Sequence, residues 1–171
     1  MHIQQQETER HTLSVTVDNE AGVLARIAGM FTARGYNIDS LTVADVTEDD
    51  SISRITIVTT GTPAVIEQVV AQLDRLINVH RVIDLTERGN FVERELALVK
   101  VVGTGEHRIE ALRLADVYRA RVVDATTGSF VFEVTGSSEK IDKFIELMGE
   151  IGLVEVARTG VAAIARGKEA V

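Results

Sequence analysis

The chain has 171 residues, of which 45% are hydrophobic, enough for one ordinary domain or two small ones with packed cores. The formal net charge is −8 and no long run of lysine or arginine occurs, which argues against a nucleic-acid-binding surface. Cysteine is absent, and this excludes disulfides, thiolate metal sites and a cysteine nucleophile.

Residues 1–11 are polar and lack the apolar segment that a signal peptide requires. No apolar run approaches the roughly 18 to 20 residues that a membrane-spanning helix needs. We therefore expect a short disordered tail, 1–11, on a cytoplasmic protein with no membrane contact.

The next stretch predicts a strand, a turn and a helix. Residues 12–18 alternate apolar and polar side chains, which is typical of a half-buried strand. After Gly22 the apolar residues change to helical spacing, with Val23, Ile27, Met30 and Phe31 on one face. We expect the helix to begin near Gly22 and to end with Gly35 as its C-cap.

The turn 18–22 places the free N–H groups of a helix N-terminus beside the carboxamide of Asn19. Such a turn suits a carboxylate ligand, because the first-turn donors lack partners and the helix dipole favours negative charge. The alternative is structural, with Asn19 capping the helix and Gly22 allowing a tight entry. Small residues around Gly22 and a second carboxamide at Asn37 favour the ligand interpretation.

The rest of the chain predicts the order β-α-β-β-α-β twice. Thr62 and Pro63 open the second helix of the first half as N-cap and first residue. The helix over 106–119 is predicted to face inward with Ile109, Leu112 and Ala115. The remaining strands and helices are expected at 37–46, 52–60, 79–86, 95–103, 121–125, 130–135, 137–151 and 154–165.

These elements predict an α+β fold of two tandem ferredoxin-like (βαββαβ) domains with antiparallel sheets. The first domain is expected at 12–87 and the second at 93–167, joined by a linker at 88–92. Each four-stranded sheet would leave one face without helices and would have open edges. A homodimer or a larger assembly is therefore expected.

Catalytic motifs are not apparent. The histidines have no metal-ligand spacing, and no nucleotide-binding glycine fingerprint occurs. The glycine pair at 103–105 favours a plain turn over an anion site, and the carboxylates at 48–50 favour a solvated hairpin turn. We expect no autonomous enzyme, no cofactor and no metal site in this chain.

The sequence resembles the regulatory (small) subunit of acetolactate synthase, whose first domain is an ACT domain. The similarity covers essentially all of the chain after residue 11. It is carried by DNEAGVLARIAGMFTARGYNIDSLTV (18–43), SRITIVTTG (53–61), LDRLINVHRVIDLT (73–86), VERELALVKV (92–101) and VEVARTGVAAIARG (154–167).

The resemblance implies a non-catalytic partner of a large subunit that depends on thiamine diphosphate, magnesium and FAD. That large subunit condenses pyruvate with pyruvate or 2-oxobutyrate in branched-chain amino acid biosynthesis. The small subunit would raise its activity and confer feedback inhibition by valine or another branched-chain amino acid. It would form a homodimer through its ACT domains.

The resemblance also implies an effector site between two ACT domains. Backbone N–H groups around Gly22 would hold the effector's carboxylate, and Asn19 and Asn37 would face its ammonium group. Val23, Leu24 and Ile38 would enclose its side chain. The implied effector-binding set is Asn19, Glu20, Ala21, Gly22, Val23 and Leu24 from one chain, with Asn37 and Ile38 from its partner.

Three other functions remain open at this point. The first is a free-standing amino-acid sensor that regulates a different enzyme. The second is a ligand-responsive transcription regulator, against which the acidic charge and the lack of a basic DNA-binding element count. The third is a fragment of an amino-acid-regulated enzyme, although two complete units leave no catalytic portion.

Overall fold

The computed structural model describes residues 7–170. The chain divides into two compact units, one formed by residues 7–92 with 161–170 and the other by Glu93–Gly160. The elements in chain order are β1 (Glu9–Asp18), α1 (Val23–Arg34), β2 (Ser40–Asp45), β3 (Ile52–Gly61), α2 (Pro63–Asp74), β4 (Val79–Asp84), α3 (Leu85–Arg88), β5 (Phe91–Val102), α4 (Glu106–Val117), β6 (Arg121–Ala125), β7 (Ser129–Gly136), α5 (Ser138–Gly149), β8 (Leu153–Arg158) and β9 (Ala162–Ala165).

The first unit is built on an antiparallel sheet in the order β2-β3-β1-β4. The alternation in β1 sends one set of side chains toward α1 and α2, as its period of two predicts. The resulting core is fully apolar and contains Leu13, Val15, Ile27, Phe31, Ile55, Ile57, Val69 and Leu73, all at most 1% exposed.

The second unit repeats this topology with the order β6-β7-β5-β8. Its core contains Phe130, Phe132 and Phe144, and the rings of Phe132 and Phe144 lie edge to face with centroids 6.3 Å apart. The prediction of two antiparallel βαββαβ units is confirmed.

Several predicted boundaries differ from the observed ones. Residues 9–11 of the predicted tail belong to β1, whereas residues 1–6 lie outside the described residues. The second strand begins at Ser40 rather than at residue 37. The fourth strand ends at Asp84, because the Asp84 carboxylate accepts the N–H groups of Thr86 and Glu87 and thereby caps α3. The predicted linker 88–92 already contains the start of β5.

The predicted inward face of α4 is wrong for Ile109 and Leu112 and confirmed for Ala115. Ile109 and Leu112 are 53% and 41% exposed, whereas Ala111 and Ala115 are buried. The bulky rings of Phe132 and Phe144 occupy the space beneath α4, so small side chains face them. Periodicity alone favoured the larger apolar residues, and packing selected the smaller ones.

The predicted final strand, 154–165, is two strands separated by a break at Gly160, which has φ +84°. Beyond the break, Val161 and Ala163 pack with Val58 and Leu85 in a small cluster. Val58 points away from α1 and α2, since its neighbour Ile57 faces them. The chain's own residues 161–165 therefore cover part of the sheet face that was expected to be bare, and they group with the first unit rather than the second.

Candidate functional site

The turn between β1 and α1 has a glycine-dependent geometry. Gly22 is the N-cap of α1 with φ 90° and ψ −10°, a left-handed conformation that favours glycine. No side chain caps the helix. The interpretation in which Asn19 caps α1 is therefore wrong, and its side-chain Nδ2 instead donates to the Asp50 carbonyl at 2.8 Å.

The first turn of α1 leaves backbone donors available. Within residues 7–170, the N–H groups of Gly22, Leu24 and Ala25 donate to no backbone or side-chain acceptor, whereas the N–H of Val23 donates to the Glu20 carbonyl at 3.4 Å. The first turn contains no acidic residue. A Cβ added at Gly22 would meet nothing within 4 Å, so the space above the turn is open to a carboxylate.

The side chains around this turn differ in how they meet solvent. Ala21 is exposed and Leu24 is 43% exposed, so both are accessible to a ligand. Val23 is 4% exposed and belongs to the core of the first unit. Its side chain is therefore not available for the predicted role of enclosing a ligand, although its position fixes the start of the helix.

A polar network holds the turn from the start of β4. The Asn78 side chain donates to the carboxylates of Asp18 and Glu20 at 3.1 and 3.2 Å and accepts from Arg26. The His80 ring pairs with Asp18. Hydrogen bonds from His80 and Asn78 lower the pKa of the Asp18 carboxyl.

Asn78 and His80 were missed by sequence reasoning. They lie about 60 residues from the turn, and although both fall within the segment LDRLINVHRVIDLT (73–86), nothing in its local pattern pointed to the turn. The fold brings them to it because β1 and β4 are neighbouring strands, joined here by the Asp18 N–H donating to the Asn78 carbonyl at 2.9 Å.

The second predicted half of the site precedes β2. The Asn37 carbonyl accepts from the Thr59 hydroxyl at 2.6 Å, and its Nδ2 donates to Asp39 at 2.6 Å. Ile38 is half-buried against the core. Since the Nδ2 groups of both Asn19 and Asn37 are engaged, each carboxamide presents its oxygen as an acceptor.

The two halves lie at opposite ends of the sheet in one chain. Ser40 pairs with Val58, and Val58 pairs with Thr12, so the start of β2 lies level with the beginning of β1. The turn follows Asp18, six residues further along β1. At about 3.3 Å per residue this is a separation of roughly 20 Å, too far for one amino-acid ligand to contact both.

The described residues, 7–170, contain no group of three or more His, Asp or Glu side chains arranged to hold a metal ion. Nor does that part of the chain include a helix long and apolar enough to cross a membrane. The glycine pair at 103–105 forms the entry to α4, where Gly105 is the N-cap with φ 60° and Glu106 follows directly.

Family models match both parts of the chain. Residues 13–81 match the "AHAS small subunit-like ACT domain", and residues 94–167 match the "Small subunit of acetolactate synthase".

Individual relatives agree with these matches. A probable acetolactate synthase small subunit of Archaeoglobus fulgidus is 48% identical, with 94% of this chain and 99% of the relative covered. The acetolactate synthase isozyme 3 small subunit of Escherichia coli is 43% identical, with 92% and 96% covered. The crystal structure of the acetolactate synthase small subunit from Thermotoga maritima is similar with a TM-score of 0.81 at 35% identity, over 94% of this chain and 99% of that chain.

Proposed function

Because the chain belongs to the acetolactate synthase small-subunit family, we propose that its Gly22 turn binds a branched-chain amino acid that inhibits the enzyme, with valine as the first candidate. The chain is a regulatory subunit that partners the catalytic large subunit, to which catalysis and its cofactors belong. A cytoplasmic location is part of the same proposal.

The observation that carries the proposal is the uncapped N-terminus of α1. A carboxylate is favoured at this point by three unpaired N–H donors, by an open approach at Gly22 and by the lack of an acidic residue in the first helical turn of α1. The Asn19 oxygen is an acceptor for the ligand's ammonium group, because its Nδ2 is already bonded to Asp50. Leu24, which is partly exposed, supplies apolar surface for a branched side chain.

The proposed site is completed by a second copy of the chain. Asn37 and Ile38 lie about 20 Å from the turn along their own sheet, by the strand rise, and so complete the site from a neighbouring subunit. The second carboxamide oxygen and the half-buried Ile38 would then face the ligand from the other side. A homodimer with such a shared site couples effector binding to the way two subunits meet.

This coupling explains how a bound amino acid would change a distant active site. An effector shifts an equilibrium between two states only by its difference in affinity for them. A ligand held by two subunits favours the dimer geometry that completes its site. If the large subunit contacts that geometry less productively, valine lowers its turnover.

Calorimetric titration of the isolated chain with valine, leucine and isoleucine tests the site. We expect saturable binding of at least one of them with one ligand per chain, together with a dimer by sedimentation. Binding of none of the three, or binding to a chain that stays monomeric at saturation, would contradict the shared site.

A separate measurement tests the regulatory role itself. We expect the purified chain to form no acetolactate from pyruvate, even with thiamine diphosphate, FAD and magnesium added. Addition of the chain to its large subunit should raise the turnover of that subunit. Acetolactate formation by the chain alone would refute the assignment.

A further inference from the structure

A second concave site lies in the first unit, on the other side of α2 from α1. It is a cavity of about 520 Å³ between α2, the start of β1 and the end of β4. Pockets of a few hundred to a thousand Å³ with an apolar lining are typical of small-molecule sites. Its apolar lining consists of Pro63, Ile66, Val70, Ala71 and Val82.

One wall of the cavity carries a fixed polar pair. The Nδ1 atom of His11 lies 2.6 Å from Oδ2 of Asp84, and their side chains are 11% and 7% exposed. Asp84 is locked in place because its other oxygen accepts the two backbone N–H groups that begin α3. The second ring nitrogen of His11 lies 3.3 Å from Glu9. These groups are therefore preorganised at the cavity wall.

The rest of the polar lining is acidic. Glu67, Asp74 and Glu87 line the cavity, and no lysine or arginine does. Among residues 7–170, these three carboxylates form no ion pair. Carboxylates that line one concave site attract a positive charge placed in it.

The same lining indicates what chemistry a ligand of this cavity would have. A metal ion would need converging ligands, and no metal-binding group of three or more such side chains occurs in the described part of the chain. An apolar lining instead favours a ligand with hydrocarbon surface.

We propose that this cavity binds a small organic cation, a linear alkylamine or diamine. Its chain lies on Ile66, Val70 and Val82, and its ammonium group lies between Glu67, Asp74 and the His11–Asp84 pair. The site is independent of the Gly22 turn and assigns to this chain a second small-molecule ligand.

Calorimetric titration of the full chain with 1,5-diaminopentane at low ionic strength tests the proposal. We expect saturable binding that weakens as salt is added, because screening reduces the attraction of the partly exposed carboxylates. The double variant Glu67→Gln, Asp74→Asn should bind about tenfold more weakly, the sum of two modest ion-pair losses. The matched variant Asp116→Asn, Glu150→Gln removes the same charge from the second unit and should change affinity by less than about twofold.

Two further measurements make the test decisive. The imidazole NMR signals of His11 should shift on saturation with the diamine. The neutral isostere 1,5-pentanediol should not compete with the diamine. Magnesium chloride should weaken diamine binding no more than sodium chloride does at the same ionic strength.

Equal weakening in both double variants would reduce the effect to attraction by the net charge and overturn the proposal. Equal binding of the diol, displacement by magnesium beyond that by sodium chloride at the same ionic strength, or unmoved His11 signals would overturn it as well. Since valine binding is measured separately at the Gly22 turn, none of these outcomes bears on the effector site.

Discussion

The two units enter their first helix through comparable turns, yet the turns differ in charge and access. Both helices begin after a glycine with positive φ, Gly22 before α1 and Gly105 before α4, and neither has a side-chain cap. The first turn of α1 contains no acid, whereas α4 starts with Glu106. A carboxylate side chain at a helix N-terminus interacts favourably with the dipole and repels an anionic ligand.

The flanks of the two turns differ as well. In the first unit the Asn19 carboxamide lies beside the turn, with its Nδ2 donating to the Asp50 carbonyl. In the second unit the Arg108 guanidinium lies over the Phe130 ring, 3.9 Å from the centroid. The two units thus share a topology, but only the first turn combines a left-handed glycine, an acid-free first helical turn and a nearby carboxamide, which are the features of the proposed carboxylate site. Ligand binding by the second turn is not expected.

Gly22→Asp should have the largest effect, and it tests directly the difference between the turns at Gly22 and Gly105. The new carboxylate would occupy the place of the ligand's own and repel it, so the reconstituted enzyme should stay activated but lose valine inhibition. A loss of affinity of at least about a hundredfold is expected from a like charge placed in the site. Inhibition of acetolactate formation by valine is the measurement.

Two variants control this result. Gly22→Asn has a similar shape and tolerates a positive φ about as well as Asp does, so its loss of valine affinity should be smaller than that of Gly22→Asp. Gly105→Asp places the same carboxylate at the second turn and should leave valine inhibition unchanged. Full valine inhibition of the Gly22→Asp complex would show that the effector binds elsewhere.

The sequence predicted the turn at Gly22 because its signals are local. The alternation of β1, the glycine and the helical spacing of Val23 and Ile27 lie within a few residues of each other, and each depends on backbone geometry. The same holds for Thr62 and Pro63, which open α2 as predicted. The prediction of two units with the same topology likewise rested on local patterns that occur twice along the chain.

Properties that depend on packing between distant segments could not be predicted in this way. The inward face of α4 was assigned to Ile109 and Leu112, because periodicity cannot show that phenylalanine rings leave room only for alanine there. Asn78 and His80 hold the turn through side-chain hydrogen bonds, and only the pairing of β1 with β4 brings them within reach of it. The return of residues 161–165 to the first sheet has no local signal beyond Gly160.

The two sheets also differ on the faces away from their helices, and Val161→Asp should show this with an intermediate effect. Val161 is 2% exposed beside Val58 and Leu85, and the Thr42 hydroxyl donates to its carbonyl. A buried carboxylate without a partner should lower the free energy of unfolding by about 2 to 4 kcal/mol. Urea unfolding of the purified chain measures the change.

Val154→Asp is the matched substitution in the second unit. Val154 is 58% exposed on β8, so the same change should alter the free energy of unfolding by less than about 0.5 kcal/mol. A similar loss in both variants would show that residues 161–165 do not stabilise the first sheet.

Asp18→Asn should have the smallest effect. Asp18 helps to hold the first turn in place but is not one of the proposed ligand-binding residues. Because His80 and Asn78 lower the pKa of the Asp18 carboxyl in the folded chain, the ionised form stabilises the fold. That stability is complete above the unfolded pKa of about 4 and is lost as the pH falls through the lower, folded value. The wild-type chain should therefore unfold at a slightly higher temperature than Asp18→Asn at pH 7, and the difference should vanish near pH 3.

Asp116→Asn, which removes an exposed carboxylate of the second unit, should show no such pH-dependent difference. An unchanged gap at pH 3 would mean that the Asp18 charge does not hold the turn, and the first turn would then owe its geometry to the backbone bonds and Gly22 alone.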